Sequence, residues 1–484
     1  MTKYITTPIY YTNGTPHLGH VYTTLAAEVL RRAYTAYEDP DRIAIRTGVD
    51  EHGLKVQRKA ESSGKTPQAF CDDMAGRFER AFDAFDIDVR DFYRTTSERH
   101  KTQALKLFAA LNASGDIYRS SYSGWYAPSD EAYYTEEETQ ILDGGRRVSA
   151  LTGSPVEWVE EDCFNFRLSK YQDRLLAWYE QNPIQPSSRQ NEIVSFVKQG
   201  LKDLCVTRSG KHFSWGINLG EDFDNHVLYV WVDALSNYLT PDTYGRSVWP
   251  AHVQIVGKDI LRFHAVIWPA LLMSAGLELP RKIFAHGWWL TESGDKMAKS
   301  TGNAIDPLDL LEKYGDPSIL TYYMFREVPF GEDGKFSSER VHVRFKEISN
   351  KYGNLVNRVC TLFRMYNTPI HSEAIARTFK DIGREVLPLY EDLAFHKILE
   401  QTVGLMDDAN KYLQDHTPWS KTLDSKTRED VLNHVLKMIW EITLRLEPYV
   451  PYQAVQVRVS MSTAYHHGTP LDVPILFVPP KSEG

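Results

Sequence analysis

The sequence predicts an α/β protein: a parallel-sheet domain split by a small inserted domain and followed by an all-α helical bundle. Three observations carry that expectation. Strand-like and helical runs alternate up to about residue 85, the alternation breaks near 118 and returns near 226, and from about 340 onward the composition is mainly helical. A parallel pair of strands needs a crossover of helix length, so alternation of this kind implies helices on the faces of a parallel sheet.

Each element has its own justification. Residues Lys3–Tyr11 (KYITTPIYY) are β-branched and aromatic, as a buried strand is. Asn13-Gly14 and Pro16 turn the chain, and 21–37 has helical composition, so the chain opens with a βα unit. A second strand is expected at 42–46, ending at Thr47-Gly48, with helices over 55–60 and 67–85. Short aromatic runs, acidic clusters at 136–138 and 160–162, and Gly144-Gly145 mark the insertion. Strands are expected again at 228–232 and 253–256, and long helices at 340–365 and 428–446. The resulting division is 1–117 for the first half of the parallel-sheet domain, 118–225 for the insertion and 226–280 for the second half. A linking segment spans 281–339, and the helical domain spans 340–484.

Composition narrows the function classes. A length of 484 residues corresponds to three or four units at roughly 150 residues each. With 42% hydrophobic and 25% charged residues, a disordered or fibrous chain is excluded. The formal charge of −9 excludes a general nucleic-acid coat, so any RNA contact must come from a local basic patch, and no DNA partner is expected. The four cysteines are dispersed without a CxxC pair, which indicates a reducing compartment: the cytoplasm, or the mitochondrial matrix for a processed organellar form. The most apolar stretch, 265–277, is broken by Pro269 and is shorter than the roughly 20 residues of a membrane helix, so no membrane partner is expected.

Two short constellations carry chemistry. His17-Leu18-Gly19-His20 falls between the first strand and the first helix, where an open α/β sheet binds ligands and a helix N-terminus favours phosphate. Histidines three apart share a helical face, so both imidazoles can reach one anion, and Gly19 leaves room for a flat ring. No third ligand at a recognised spacing suggests a metal. Lys296-Met297-Ala298-Lys299-Ser300 lies between Gly294 and Gly302, and its two lysines can close over a triphosphate. Each is weak alone. Gly64-Lys65-Thr66 looks like the end of a P-loop but has Lys59 where that motif needs glycine, so it reads as a loop.

Together, HxGH after the first strand and KMxKS far downstream are specific, and the chain resembles class I aminoacyl-tRNA synthetases, the methionyl-tRNA synthetase family in particular. The resemblance runs through PIYYTNGTPHLGH (8–20), TGVDEHG (47–53), YVWVDALSNY (229–238), VGKDILRFHAVIWPA (256–270) and His286-Gly287. It implies a Rossmann-like catalytic domain with an anticodon-binding helical bundle. The implied reaction joins L-methionine to ATP, giving methionyl-adenylate and pyrophosphate, then moves the methionyl group to the 3′ end of tRNA(Met), initiator tRNA included. Magnesium would accompany ATP, held largely by phosphates and water. Catalysis of this kind rests on positioning and charge stabilisation, which the resemblance assigns to His17, His20, Lys296 and Lys299. Gly19, Asp259, His286, Gly287, Met297 and Ser300 join them around ATP.

For methionine, the resemblance assigns Asp50 to the ammonium group. Ile9, Tyr11, Trp231, Ala234, Tyr238, His264, Ile267 and Trp268 form a pocket whose aromatic walls suit sulfur. Ala298 departs from the commoner serine, which affects loop closure rather than chemistry. Where relatives carry a zinc knuckle, this chain has Ala127 and Asp130, with Cys163 the insertion's only cysteine, so no structural zinc is expected. The insertion would then hold together through Trp125, Tyr126, Tyr133, Tyr134 and Trp158. Arg344, Lys351 and Arg358 recur every seven residues, in a stretch from Arg340 to Arg364 with six basic residues and one acidic. Asn354, Arg358 and Trp419 match the family's anticodon-reading positions, and a monomer is expected. Two other classes remain open on sequence alone: a small-molecule adenylyltransferase of the HxGH type, and an RNA-binding protein derived from a synthetase.

Overall fold

In the computed structural model, residues 2–38, 42–88, 90–128, 132–142, 144–210, 214–242, 245–297 and 302–479 are described. The architecture follows from β1 (Lys3–Tyr11), which is buried over Tyr4–Pro8 and at Tyr10, as expected for a strand covered on both faces. It pairs in parallel with β2 (Ile43–Asp50) on one side and with Val253–Gly257 on the other. The six-stranded sheet runs β3 (Phe92–Arg94), β2, β1, Val253–Gly257, Ile283–His286, Ile184–Gln185, with every pairing parallel. The chain builds outward from β1 in one direction before the insertion and in the other after it. The gap beyond the carboxyl ends of β1 and Val253–Gly257 is therefore a topological switch point, where such sheets hold ligands.

Pro8 lacks an N–H for the ladder, and the β1–β2 register shifts between Thr6 and Ile9. Thr6 faces Arg46 while Ile9 faces Gly48, so β1 carries one extra residue there. β2 also carries Arg46, fully buried. Its guanidinium donates to the carbonyls of Asn237 (2.6 Å), Thr240 (2.6 Å) and Pro241 (3.1 Å) and pairs with Asp91 at 2.9 Å. This ties the segment after helix Val230–Ser236 to the sheet.

The structure redraws some expected elements. The strand expected at 228–232 is only Val227–Leu228, paired antiparallel with Thr207–Arg208, and Val230–Ser236 is a helix. The Tyr-Val-Trp-Val run has strand composition, but β-propensity yields to context, and Asp233 in the first turn complements the helix dipole. Ile184–Gln185, inside the expected insertion, is an edge strand of the main sheet, and Ile283–His286, expected in the linking segment, is an interior one.

The insertion's own sheet is antiparallel, in the order Leu204–Cys205, Glu157–Phe166, Ile117–Ala127, Ala132–Tyr134. Trp125 meets Trp158 edge-on at 5.2 Å, yet Trp158 is 52% exposed, so these rings line a ribbon rather than fill a separate core. Asp130 lies outside the described residues. Cys163 is buried, with its thiol 3.2 Å from Asn165 Oδ1, and no group of three or more metal-ligating side chains occurs among the described residues. No helix among them is long and apolar enough to cross a membrane.

Helices Ser338–Ile348, Asn354–Tyr366, Phe379–Glu391, Phe395–His416, Ser425–Leu446 and Pro451–His467 form the C-terminal bundle. It shares one buried apolar cluster with the catalytic domain, from Leu25 on α1 (Leu18–Tyr37) through Phe325 to Phe395 and Tyr449. Tyr37 donates to the Leu444 carbonyl at 2.9 Å, and Lys3 pairs with Glu391 at 2.6 Å.

Two glycines test this packing in opposite directions. A Cβ on Gly48 would sit 2.1 Å from the Tyr93 carbonyl oxygen of the neighbouring strand, so Gly48→Ala forces β2 and β3 apart. It is expected to lower unfolding stability by about 1–3 kcal/mol. A Cβ on helical Gly404 meets nothing within 4 Å, so Gly404→Ala is expected to stabilise by about 0.5–1 kcal/mol. Thermal unfolding of the two variants checks both signs.

Candidate active site

The switch point opens into a cavity of about 430 Å³. One wall is the start of α1. His17 is its N-cap, with extended backbone, and its Nδ1 accepts from the Gly19 N–H at 3.1 Å. His17's own N–H donates to His20 Nδ1 at 3.0 Å, a reciprocal capping box built from two imidazoles. Because both Nδ1 atoms are acceptors, each neutral ring carries its proton on Nε2, a donor suited to an anion. The rings stack at 3.8 Å, and His20 also packs edge-on against Tyr10 and Phe78. A Cβ on Gly19 would come within 3.0 Å of the His17 ring. The Leu18 N–H donates to the Ile305 carbonyl at 3.0 Å, which ties the helix start to the segment beyond the lysine loop.

The facing wall comes from far downstream. Asp259, His286, Gly287, Lys296 and Met297 all line the same cavity as His17, Gly19 and His20. Lys296 Nζ lies 3.7 Å from Asp259 Oδ2 and 3.9 Å from the centre of the Trp288 ring. The Trp288 indole donates to Asp259 Oδ1 at 3.2 Å, while neighbouring Lys258 pairs with Asp333 at 2.6 Å. His286 donates from Nδ1 to the Gly287 carbonyl at 2.7 Å and has Nε2 2.8 Å from the Thr23 hydroxyl. Burial lowers its basicity, which keeps the ring neutral. Gly287 is required because a Cβ would lie 2.2 Å from the Glu332 backbone. Lys299 and Ser300 lie outside the described residues.

The other end of the cavity is aromatic. Ile9, Tyr11, Asp50, Trp231, Ala234, Tyr238 and His264 line it. Ile9, Tyr11 and Asp50 come from the ends of β1 and β2; Trp231 and Ala234 share one face of Val230–Ser236. Trp231 stacks on Phe263 at 3.6 Å with an angle of 5° between planes. The Tyr238 hydroxyl donates to the Thr7 carbonyl at 3.2 Å and lies 2.8 Å from His264 Nε2, and His264 Nδ1 donates to the Ile260 carbonyl at 3.0 Å. Burial pushes the His264 imidazole down to about 4, so it is neutral at ordinary pH. The Asp50 backbone carbonyl accepts from the Thr12 N–H (3.0 Å) and hydroxyl (3.1 Å), which fixes the strand end. Ile267 and Trp268 do not line the cavity: Trp268 is fully buried behind Tyr238, ring centres 5.9 Å apart, and Ile267 belongs to the same core.

Some lining residues escape a reading by motif. Trp288 directly follows His286-Gly287, and Thr23 lies one helical turn after Gly19, so adjacency and helical spacing were the available signals.

A second assembly lies on the helical bundle. Asn354 and Arg358 are exposed one turn apart on Asn354–Tyr366, and the Arg358 guanidinium lies 5.5 Å from the centre of the Trp419 ring, itself 38% exposed. The basic stripe is less available than its spacing suggests. Arg344 pairs with Glu327 at 2.7 Å and Glu347 at 3.0 Å, and Lys351 with Asp407 at 2.7 Å. A π-turn over Ser349–Gly353 also shifts the phase between Arg344 and Arg358.

Comparison with known proteins agrees with this geometry. Residues 3–144 and 145–360 match the family model for class I tRNA synthetases of the M type. The methionine–tRNA ligase of Rickettsia bellii is 42% identical, across 94% of this chain and 91% of the relative. That of Thermotoga maritima is 39% identical, across 94% of this chain and 75% of the relative. Mycobacterium tuberculosis methionyl-tRNA synthetase in complex with methionyl-adenylate superposes with a TM-score of 0.86 at 36% identity, covering 99% of both chains. Its apo form gives 0.78 at 34% identity, covering 99% of this chain and 97% of that one. A parallel sheet with two remote motifs on one cavity, together with these relatives, establishes that the chain belongs to the methionyl-tRNA synthetase family of class I aminoacyl-tRNA synthetases.

Proposed function

We propose that this methionine–tRNA ligase carries out both of its half-reactions in the cavity at the switch point, with the phosphate chain of ATP between the α1 histidines and Lys296. The observation that supports this reading is that His17, His20 and Lys296, remote in sequence, line one cavity beside an aromatic slot. A methionine carboxylate oxygen attacks the α-phosphorus of ATP, the bond from that phosphorus to the bridging oxygen breaks, and pyrophosphate leaves. Charge grows on the α-phosphate and on the leaving group. The Nε2–H donors of His17 and His20, the N-terminus of α1 and the Lys296 ammonium stabilise that charge in place. Lys299 adds a second ammonium from its loop. A terminal ribose hydroxyl of tRNA(Met) then attacks the adenylate carbonyl and releases AMP. Magnesium would accompany ATP and neutralise phosphate charge, held largely by the nucleotide and water.

Asp50 faces the ammonium group, and the neutral slot of Tyr238, His264, Trp231 and Ala234 takes the thioether. A charged side chain would lose its water there without finding a partner, a cost that sets methionine apart from lysine or glutamate. Asn354 and Arg358 suit exposed base edges and Trp419 suits stacking, which supports an anticodon contact. A cytoplasmic monomer is the assembly we infer.

Pyrophosphate exchange dependent on methionine, without tRNA, tests the first half-reaction. His20→Ala and Lys296→Ala are each expected to lower kcat by about 10²-fold, as loss of one transition-state donor does; rates near wild type would count against their roles. Trp419→Ala is expected to leave exchange unchanged and weaken tRNA aminoacylation about tenfold in kcat/KM, the value of one lost base stack. Initiator tRNA charged at the wild-type rate would remove Trp419 from the anticodon site.

His264 makes a separate prediction. Its folded value of about 4 lies below the ordinary histidine value of 6.5, so the unfolded chain takes the proton first as pH falls. Its stabilising contribution is complete above pH 6.5 and is lost towards pH 4, by about 3 kcal/mol at most. The Tm gap between wild type and His264→Gln should therefore narrow over that interval. A gap constant with pH would contradict the buried neutral imidazole.

A further inference from the structure

The two elements that present the amino-acid site are joined by a buried polar chain that the chemistry above does not use. Asp233 lies on Val230–Ser236, the helix that presents Trp231 and Ala234. Its Oδ2 is 2.7 Å from His52 Nδ1 and its Oδ1 is 2.5 Å from His100 Nε2. The three side chains are 0%, 5% and 0% exposed for Asp233, His52 and His100. His52 stands two residues beyond Asp50, where the chain leaves β2, and its carbonyl accepts the Tyr11 hydroxyl at 3.0 Å. His100 lies on helix Glu98–Ala113, with Nδ1 3.1 Å from the Tyr93 hydroxyl of β3, which in turn donates to Thr240 at 2.7 Å.

A carboxylate only accepts, so each imidazole supplies an N–H, and such charge-assisted bonds are about twice as strong as neutral ones. Burial alone would raise the Asp233 carboxyl, but the two histidines outweigh it and hold the group below the usual carboxylate range. Arg46 already fastens the far end of this helical segment to β2 through the carbonyls of Asn237, Thr240 and Pro241. The Asp233 chain fastens its middle. With the helix held at both places, the distance from Asp50 to the Trp231–Ala234 wall is fixed by β2 and its loop rather than by the bound amino acid.

We propose that His52, Asp233 and His100 are positioning residues, a buried clasp that sets the span between Asp50 and the aromatic slot and thereby makes the site selective for side-chain length. The proposal rests on the reading of Asp50 and Trp231 as amino-acid contacts. A residue that served stability alone would lower Tm without changing preference between two amino acids of different length. The clasp makes preference the sensitive quantity.

The test is pyrophosphate exchange at saturating ATP with methionine and with its S-ethyl homologue, beside thermal unfolding. His52→Ala is expected to raise the KM for methionine about tenfold, the effect of one charge-assisted hydrogen bond, with kcat and the KM for ATP nearly unchanged. The preference for methionine over the S-ethyl homologue should fall by a similar factor. In His52→Asn the amide nitrogen stands where Nδ1 stood, so both quantities should recover most of the way. If His52→Ala does not fold, Asp233→Asn carries the same expectation, since an amide oxygen can accept from one imidazole while the amide N–H₂ opposes the other. Unchanged methionine KM and unchanged preference, with only Tm lowered, would overturn the clasp. Asp50→Ala and Trp231→Ala are the controls: if neither moves the methionine KM, the reading of the site fails as well, whereas movement in the controls alone rejects the clasp only.

Discussion

Parallel pairing of β1 with Val253–Gly257 is the constraint on which the rest depends. It joins strands separated in sequence by the whole insertion, and it places the loop after β1 beside the loops after Val253–Gly257 and Ile283–His286. The N-terminus of α1 and the described start of the lysine loop face one another only because these strands share a sheet. The bulge at Pro8 belongs to the same constraint. It shifts the register of β1 just before Ile9 and Tyr11, which line the cavity.

The cavity divides its electrostatics between two ends. At one end, donors converge: the Nε2 protons of two capping histidines, the helix terminus and Lys296, with Asp259 and Trp288 holding the lysine near the site. At the other end the titratable imidazole is neutralised by burial, so the slot around Tyr238 and His264 carries no net charge. A triphosphate and a thioether can thus be held in one continuous space by opposite physical means, charge for one and exclusion of water for the other.

What the sequence made legible is mostly local. The β1–α1 opening and the pairing of His17 with His20 follow from composition and helical spacing within twenty residues of one another, whereas the start of α1 at Leu18 with His17 as its cap lies ahead of the expected 21–37. The lysine motif could be recognised as a pattern, but Asp259 and Trp288 as its neighbours depend on strand order, which spacing does not encode. Val227–Leu228 and Ile184–Gln185 are two-residue strands, too short to show a period. Trp268 matched the pocket by motif, and burial behind Tyr238 distinguishes it from the lining. The stripe of Arg344, Lys351 and Arg358 was visible, but its partners Glu327 and Asp407 come from other helices. Arg358 meets Trp419 although Trp419 follows a separate helix, Phe395–His416, which spacing along Asn354–Tyr366 cannot show.

Two motifs remote in the chain line one cavity, with the nucleotide expected between them and the thioether of the amino acid in the aromatic slot beside it. A crystal structure with a non-hydrolysable methionyl-adenylate analogue measures this directly. The analogue's phosphate-mimicking group is expected within hydrogen-bonding reach of His17 and His20, with Lys296 alongside and the thioether against Tyr238 and Trp231. An analogue bound elsewhere, with both imidazoles facing solvent, would contradict that arrangement.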